Sequence, residues 1–208
     1  MALKNDFLKI IDLTKVRATV INWPNQVKAI VDGYRSYRGI IHGVQKDAIQ
    51  NAWDAKIHNK GKHWSCSFEF ISGGEYSFFT ITDRGTHGLT GRVIKPEELE
   101  LDLPLEERWG RFENVAFTKD PSEEALGSRG RGKFIFVGAS EIYTILYDSL
   151  REDNTYRFGF RTVIKTGSPI EAYDEEEGKR KLQELTRGII HPLKEIGTRI
   201  IIVNPIKE

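Results

Sequence analysis

The alternation of apolar and polar residues over residues 66–83 constrains the fold of this chain most, because it is typical of a β-hairpin. Apolar residues alternate with polar ones up to Gly73-Gly74, which supplies the turn, and residues 76–83 continue as the second strand. Since side chains alternate with period two, Asp83 shares a face with Ile81 and ends a buried apolar row. A carboxylate in that position is costly unless it has a partner. The hairpin therefore predicts that some other part of the chain, or a ligand, supplies one.

A helix with a polar stripe is predicted before the hairpin. Residues 43–58 carry apolar residues at helical spacing, and neither proline nor a further glycine interrupts them. Asp47, Asn51 and Asp54 stand at i, i+4 and i+7, so they follow one helix face. Asp and Asn are unfavourable in the middle of a helix. A solvated face is one interpretation of this stripe, and a ligand site is the other.

The remaining segments predict one α+β domain over residues 1–208, with residues 1–40 as an N-terminal extension. Residues 89–126 are polar, carry three prolines and exceed the length of an ordinary connection, which favours a lid. The other predicted elements are a strand or short helix and then a helix within residues 7–37, a second hairpin from residues 141–148 and 155–165, a charged helix at 174–185 and a strand at 198–203.

Composition excludes several functional classes. A net charge of +1 offers no global attraction to nucleic acid or to an anionic membrane. The longest apolar runs fall far short of the ~18 residues that a spanning helix needs, and nothing near Met1 resembles a signal peptide. The five histidines lack metal-like spacing, and the lone Cys66 cannot form an internal disulfide. These features predict a cytoplasmic location.

A glycine cluster at residues 127–132 runs directly into Lys133 and Phe134. It matches the first seven positions of a P-loop, but Phe134 stands where that motif needs a hydroxyl for magnesium, so the P-loop is rejected. Closely spaced glycines still leave backbone N–H groups free to bind phosphate oxygens, and Arg129, Arg131 and Lys133 add positive charge. Phosphate binding and an ordinary glycine turn both remain open.

Four motifs occur in an order that resembles the GHKL superfamily, the group of gyrase B, MutL, MORC, heat-shock-chaperone and histidine-kinase ATP-binding domains. The motifs span about residues 43–203, and each is weak alone. The resemblance implies a Bergerat fold, a two-layer α/β sandwich whose mixed, mostly antiparallel sheet is covered on one face by helices. The four motifs are Asp47-Ala-Ile-Gln-Asn-Ala-Trp-Asp-Ala55, Asp83-Arg-Gly-Thr-His-Gly88, Gly127-x-x-Gly-x-Gly132 and Gly197-Thr-Arg-Ile-Ile-Ile202.

The resemblance assigns roles within the first two motifs. Asn51 would coordinate Mg²⁺, since an amide oxygen is a hard ligand. Asp47 takes the place of the acidic residue that polarises the attacking water, and Asp54 and Ala55 complete the nucleotide-binding residues of the helix. Asp83 would accept a hydrogen bond from the adenine amino group. The carboxylate at the end of the apolar row thereby gains a partner.

The other motifs would complete the ATP site. Gly85 and Gly88 would allow close approach of the backbone to the base, and the Thr198 hydroxyl would complete the adenine contact. The residues expected to bind the terminal phosphates from the lid are Arg129, Gly130, Arg131, Gly132 and Lys133.

Two departures from the family pattern bear on activity. Asp47 is one methylene shorter than the usual Glu, and a base that lies farther from its water can lose much of its rate. The spacing Asp83-Arg-Gly-Thr-His-Gly88 is also longer than the usual Asp-x-Gly-x-Gly. The expected function is Mg-dependent ATP binding with slow hydrolysis, in which a closing lid drives homodimerisation or an effector domain. The alternatives are a non-hydrolysing ATP sensor and, ranked last, a histidine-kinase-type catalytic domain.

The position of the last motif predicts further partners. Thr198 lies ten residues from Glu208, which leaves no room here for an effector region. We therefore expect the N-terminal part of a longer protein, or a stand-alone module with a separate partner. Direct binding of nucleic acid by this domain is not expected, because positive charge is concentrated at Arg129 to Lys133.

Overall fold

The computed structural model describes residues 22–35, 39–58, 63–95, 98, 103–113, 133–165 and 167–207, which form an α+β structure. The described helices are α1 (Trp23–Arg35), α2 (Ile40–Asp54), α3 (Arg108–Glu113), α4 (Lys133–Gly138) and α5 (Glu175–Leu185). The strands are β1 (Ser65–Gly73), β2 (Tyr76–Arg84), β3 (Thr144–Leu150), β4 (Tyr156–Thr162), β5 (Ile170–Asp174) and β6 (Gly197–Val203).

The strands form one sheet in the order β1-β2-β6-β3-β4-β5. The predicted hairpin is confirmed, with β1 and β2 paired from Ser65–Arg84 to Gly73–Tyr76. The second predicted hairpin is β3 and β4, and β6 enters between β2 and β3. Each neighbouring pair in this described sheet is antiparallel, which corrects the expectation of a mixed sheet. No βαβ crossover joins the described strands, and parallel pairs require such a connection.

One face of the sheet carries the larger core. Helices α1, α2 and α4 contribute Val27, Val44 and Ile135, which pack with Ile81 of β2 and Ile202 of β6. Helix α4 lies close to α1, since a Cβ at Gly138 would fall 2.1 Å from Val31 Cγ2. Burial of these side chains removes apolar surface from water, which stabilises the layer of helices on the sheet.

The opposite face has a cover of its own. Leu182 of α5 is fully buried and packs in a cluster with Phe158 of β4 and Phe78 of β2. The expectation of helices on one face alone is therefore incomplete. Strands β2, β3 and β6 present apolar side chains on both faces, so the second face also requires burial.

Part of the predicted lid packs against the sheet. Trp109 of α3 is fully buried, and its ring centroid lies 5.2 Å from that of Tyr147 on β3. Gly159 of β4 leaves room for this contact, because a Cβ there would lie 2.9 Å from Trp109 Cζ2. Residues 114–126 of the predicted lid lie outside the described residues, as do residues 1–21 of the predicted extension. None of the helices in the described ranges is both long enough and apolar enough to span a membrane.

Candidate functional site

Helix α2 carries the polar stripe and begins and ends earlier than predicted. It packs on the sheet through Val44 and Ala48, which are buried. Asp47 is also buried, at 7% exposure, whereas Asn51 and Asp54 are exposed. The interpretation of the stripe as one solvated helix face is therefore incomplete, because the carboxylate of Asp47 is buried.

Asp83 lies at the end of β2, on the sheet face that α2 covers. Its Oδ1 accepts hydrogen bonds from Thr86 Oγ1 at 2.5 Å and from the Thr198 backbone N–H at 3.0 Å. Burial raises the pKa of Asp83 to about 6, although both hydrogen bonds and the nearby Arg84 charge lower it in part. The partners that the sequence required are thus neutral donors on two other segments. No described lysine or arginine forms an ion pair with this carboxylate.

The loop after Asp83 is shaped by two glycines. Gly85 and Gly88 both have φ of +69°, a conformation that favours glycine. A Cβ at Gly85 would lie 2.5 Å from His63 O, and one at Gly88 would lie 2.8 Å from Ser149 Oγ. Both glycines are therefore required by the packing of the loop.

This loop is joined to the end of α2. The Ile57 N–H donates to Gly85 O at 3.0 Å, and the His87 N–H donates to Ala55 O at 3.1 Å. The first and second of the four sequence motifs, on α2 and after β2, are thereby held together. Ala55 is placed by these contacts beside the loop of Gly85 and His87.

The fourth motif approaches Asp83 from β6. A Cβ at Gly197 would lie 2.1 Å from Asp83 O, so only glycine allows the close approach that brings the Thr198 N–H to the carboxylate. Ser149 Oγ accepts from the Leu89 N–H at 2.8 Å and donates to Gly197 O at 2.9 Å, which links β3 to both segments. Thr198 is itself buried, at 8% exposure.

Three residues of this arrangement have no role in the sequence-based prediction: Thr86 and Gly197, which lie within the second and fourth motifs, and Ser149, which lies outside all four. Thr86 follows Asp83 by three residues, the spacing at which a short hydroxyl side chain can reach back to a carboxylate, and this signal was available in the sequence. The contact of Gly197 with Asp83 and the role of Ser149 depend on the sheet order, so no local pattern predicts them.

Cys66 faces the same site. It lies directly opposite Asp83 in the β1–β2 register, and residues paired in this way share a sheet face. Burial, and next the charge of Asp83, raise the pKa of the Cys66 thiol to about 11. The thiol therefore stays protonated at neutral pH and acts as a small packing group beside the carboxylate.

The structure brings together some of the predicted residues and leaves others untested. Ala55, Asp83, Gly85, Gly88 and Thr198 lie on segments that contact one another. Arg129, Gly130, Arg131 and Gly132 lie outside the described residues, and the Lys133 side chain does also, although Lys133 begins α4. Where the chain is described, no group of three or more His, Cys, Asp or Glu side chains could hold a metal ion.

Comparison with protein-family models and with curated proteins finds no match to this chain. Function is therefore inferred from the residues of the site.

Proposed function

We propose that this chain is a magnesium-dependent ATP-binding domain of the GHKL type, with a Bergerat fold. One observation carries the proposal: a partly buried carboxylate, Asp83, is held by two neutral donors, one from its own motif and one from the fourth motif, and forms no ion pair with a described residue. Burying such a carboxylate destabilises the ligand-free protein. Its retention is accounted for by a ligand that donates a hydrogen bond to it.

The adenine amino group suits the acceptor that Asp83 offers. Both hydrogen bonds from the described residues end on Oδ1, and none of them ends on Oδ2. An ionised carboxylate is an acceptor only, so Oδ2 selects a donor such as an exocyclic amino group. A guanine carbonyl at that place would bring two acceptors together and lose the contact.

Asn51 fits the role of magnesium ligand. Its side chain is exposed on α2, four residues after the buried Asp47. Mg²⁺ is bound in proteins by one or two oxygen ligands together with phosphates and water. When bound, the ion would neutralise charge on the triphosphate, and Asn51 would hold it at the end of α2. Arg129 to Lys133 would add the phosphate contacts from a closing lid, which would favour homodimerisation or act on an effector domain.

Hydrolysis depends on Asp47, and here a second candidate function has its own support. Asp47 is buried at 7% exposure and is shorter than the usual Glu, so its access to an attacking water is poor. A non-hydrolysing ATP sensor follows if that access is never gained. Slow hydrolysis follows if nucleotide binding rearranges the N-terminal part of α2.

Calorimetry tests ATP binding. We expect the wild type to bind ATP only with Mg²⁺ present, and Asn51→Ala to weaken binding at least about tenfold, equivalent to about 1.4 kcal/mol. Asn25→Ala is the matched control, because Asn25 is an exposed amide on α1. Equal affinity with and without Mg²⁺, or equal losses in both variants, would contradict the proposal.

Single-turnover assays with radiolabelled ATP separate the enzyme from the sensor. If Asp47 is the base, Asp47→Asn abolishes turnover and Asp47→Glu, which restores the usual length, raises it. A wild type that binds ATP but converts none above the Asp47→Asn background is a sensor.

A further inference from the structure

A cavity of about 540 Å³ lies beyond one end of the sheet, behind the loop that holds Asp83. It is surrounded by four chain segments, and its volume falls within the range of small-molecule sites, roughly 300–1,000 Å³. It shares Gly85 and Thr86 with the proposed nucleotide site, but Asp47, Asn51 and Asp83 do not line it. The lining residues are Ile57, His63, Ser65, Arg84, Gly85, Thr86, Leu150, Asn154, Lys194, Glu195 and Ile196.

The cavity belongs to the side of the sheet opposite to Asp83. Successive residues on a strand point to opposite faces, so Arg84 points away from the face on which Asp83 lies. A close contact between two lining residues shapes one wall, because a Cβ at Gly85 would lie only 2.5 Å from His63 O. Gly85 and Thr86 therefore lie between the cavity and the carboxylate of Asp83.

The charges of the cavity favour an anion. Arg84 and Lys194 stand against one carboxylate, Glu195. Arg84 Nε lies 3.5 Å from Glu195 Oε2, and the two side chains are 41% and 70% exposed. An ion pair so long and so exposed contributes little, so a ligand can exchange with Glu195. Lys194 forms no hydrogen bond or ion pair with another described residue.

A neighbouring arginine shows the contrast. Arg199 lines a smaller adjacent cavity of about 230 Å³, together with Arg84, Lys194 and Glu195. Its guanidinium donates to both carboxylate oxygens of the fully buried Asp148, at 2.9 and 2.8 Å. The guanidinium of Arg199 is therefore occupied by a structural ion pair with Asp148, whereas Arg84 and Lys194 can bind a ligand.

The apolar residues of the cavity indicate that the uncharged part of the ligand is itself apolar. Ile57, Leu150 and Ile196 line the same cavity, while Ser65 and Asn154 add hydrogen-bonding groups. We propose that this cavity binds a small organic phosphate monoester, with its phosphate on Arg84 and Lys194 and a compact apolar or aromatic body against the three aliphatic side chains. Arg84 supplies a planar fork for phosphate oxygens, and Lys194 supplies a point charge.

Phenyl phosphate is the probe for this site, followed by backbone NMR of the isotope-labelled chain. We expect saturable shifts at Gly85, Thr86 and Ile196 with Kd of about 1 mM or tighter. Phenol lacks the anion and inorganic phosphate lacks the body, so both should bind at least about tenfold more weakly. Equal binding of inorganic phosphate, or the absence of saturable shifts at these residues, would overturn the proposal.

Substitutions of the two cations and of Glu195 should change the affinity for phenyl phosphate in opposite directions. Arg84→Gln and Lys194→Gln should each weaken phenyl phosphate binding several-fold, whereas Glu195→Gln should strengthen it by removing the competing carboxylate. Lys165→Gln removes an exposed charge at the β4–β5 turn and should change nothing. Weakening by Glu195→Gln, or equal weakening by Lys165→Gln, would show that the probe responds to overall charge and not to this cavity.

The proposal and the nucleotide function can fail separately. Asp83→Asn should weaken ATP binding at least about tenfold and leave phenyl phosphate binding intact, since Asp83 and Arg84 point to opposite faces of the sheet. If ATP displaced phenyl phosphate competitively, the probe would occupy the nucleotide site and the separate cavity would be refuted.

Discussion

Replacing Asp83 with Asn should stabilise the free protein while it weakens nucleotide binding. Asn Oδ1 can still accept from Thr86 Oγ1 and the Thr198 N–H, so both hydrogen bonds are kept. The amide removes a negative charge from a partly buried position without a described cationic partner. It also puts a donor where the adenine amino group needs an acceptor. Stability and affinity therefore change in opposite directions.

The magnitude follows from the pKa of Asp83. Burial raises it from 3.8 to about 6, so the folded state binds a proton more tightly than the unfolded state does. Between these values stability falls as pH rises, and the ionised form costs at most about 3 kcal/mol at pH 7. Because the residue keeps some contact with solvent, we expect Asp83→Asn to gain about 1–2 kcal/mol at pH 7. The gain should vanish below about pH 4, where the wild-type carboxyl is protonated in both the folded and the unfolded state.

Urea unfolding of wild type and variant between pH 4 and pH 8, followed by circular dichroism, measures this difference. The two curves of unfolding free energy against pH should converge as pH falls toward 4, separate between about pH 4 and pH 6, and run parallel above pH 6. A variant less stable than wild type at pH 7, or a difference independent of pH, would refute the reasoning.

Asp148 provides the matched control. It is fully buried on the other sheet face, and Arg199 donates to both of its oxygens. Asp148→Asn leaves that guanidinium without its counter-charge, so it should lose about 3–5 kcal/mol. Equal effects of the two substitutions would show that burial alone, and not the missing cation, decides the outcome at Asp83.

Three further substitutions test the packing that positions the site. Gly88→Ala should cost about 1–3 kcal/mol in urea unfolding, because φ is +69° and a Cβ would meet a hydroxyl at 2.8 Å; an unchanged midpoint would contradict this. Gly159→Ala should displace Trp109 from the sheet and alter the near-ultraviolet circular dichroism, since the new Cβ would lie 2.9 Å from the ring; an unaltered spectrum would show that the contact is not tight. Tyr147→Phe should lower the free energy of unfolding by about 1–3 kcal/mol, because it removes the 2.8 Å hydrogen bond to the buried carboxylate of Glu113. An unchanged free energy of unfolding would contradict this and show that water can replace the hydroxyl as the donor.

The local half of the fold could be predicted from the sequence. Alternation over residues 66–70 identifies β1, because Cys66 and Phe68 pack on the buried, helix-covered face whereas Ser67 and Glu69 are exposed. The turn at Gly73-Gly74 then identifies β2, although both faces of β2 are partly buried. It also places Asp83 on the buried face. β5 is absent from the prediction, since Ile170–Asp174 is a short run with no buried side chain and gives no alternation of its own.

The non-local half could not be predicted. Arg157 and Arg161 alternate with apolar residues on β4, a pattern that indicates a solvated face, yet both are buried. The segment around Trp109 covers that face, with the Arg157 guanidinium 5.1 Å from the indole ring. Likewise, Ser149 reaches the site only because β6 enters the sheet beside β3. Both contacts join segments that are distant in the chain, so the local sequence pattern predicts neither of them.

The central claim is that Asp83 reads the amino group of adenine, and a ligand that lacks this group tests it most directly. Calorimetry at pH 7 would compare ATP with the triphosphate of purine riboside, which differs only by loss of that group, in wild type and in Asp83→Asn. A hydrogen bond to a charged acceptor contributes about 1.5–3 kcal/mol, so the wild type should prefer ATP by about 10–100-fold and the variant should bind both ligands equally weakly. Equal affinities in the wild type, or a preference that survives in Asp83→Asn, would contradict the assignment.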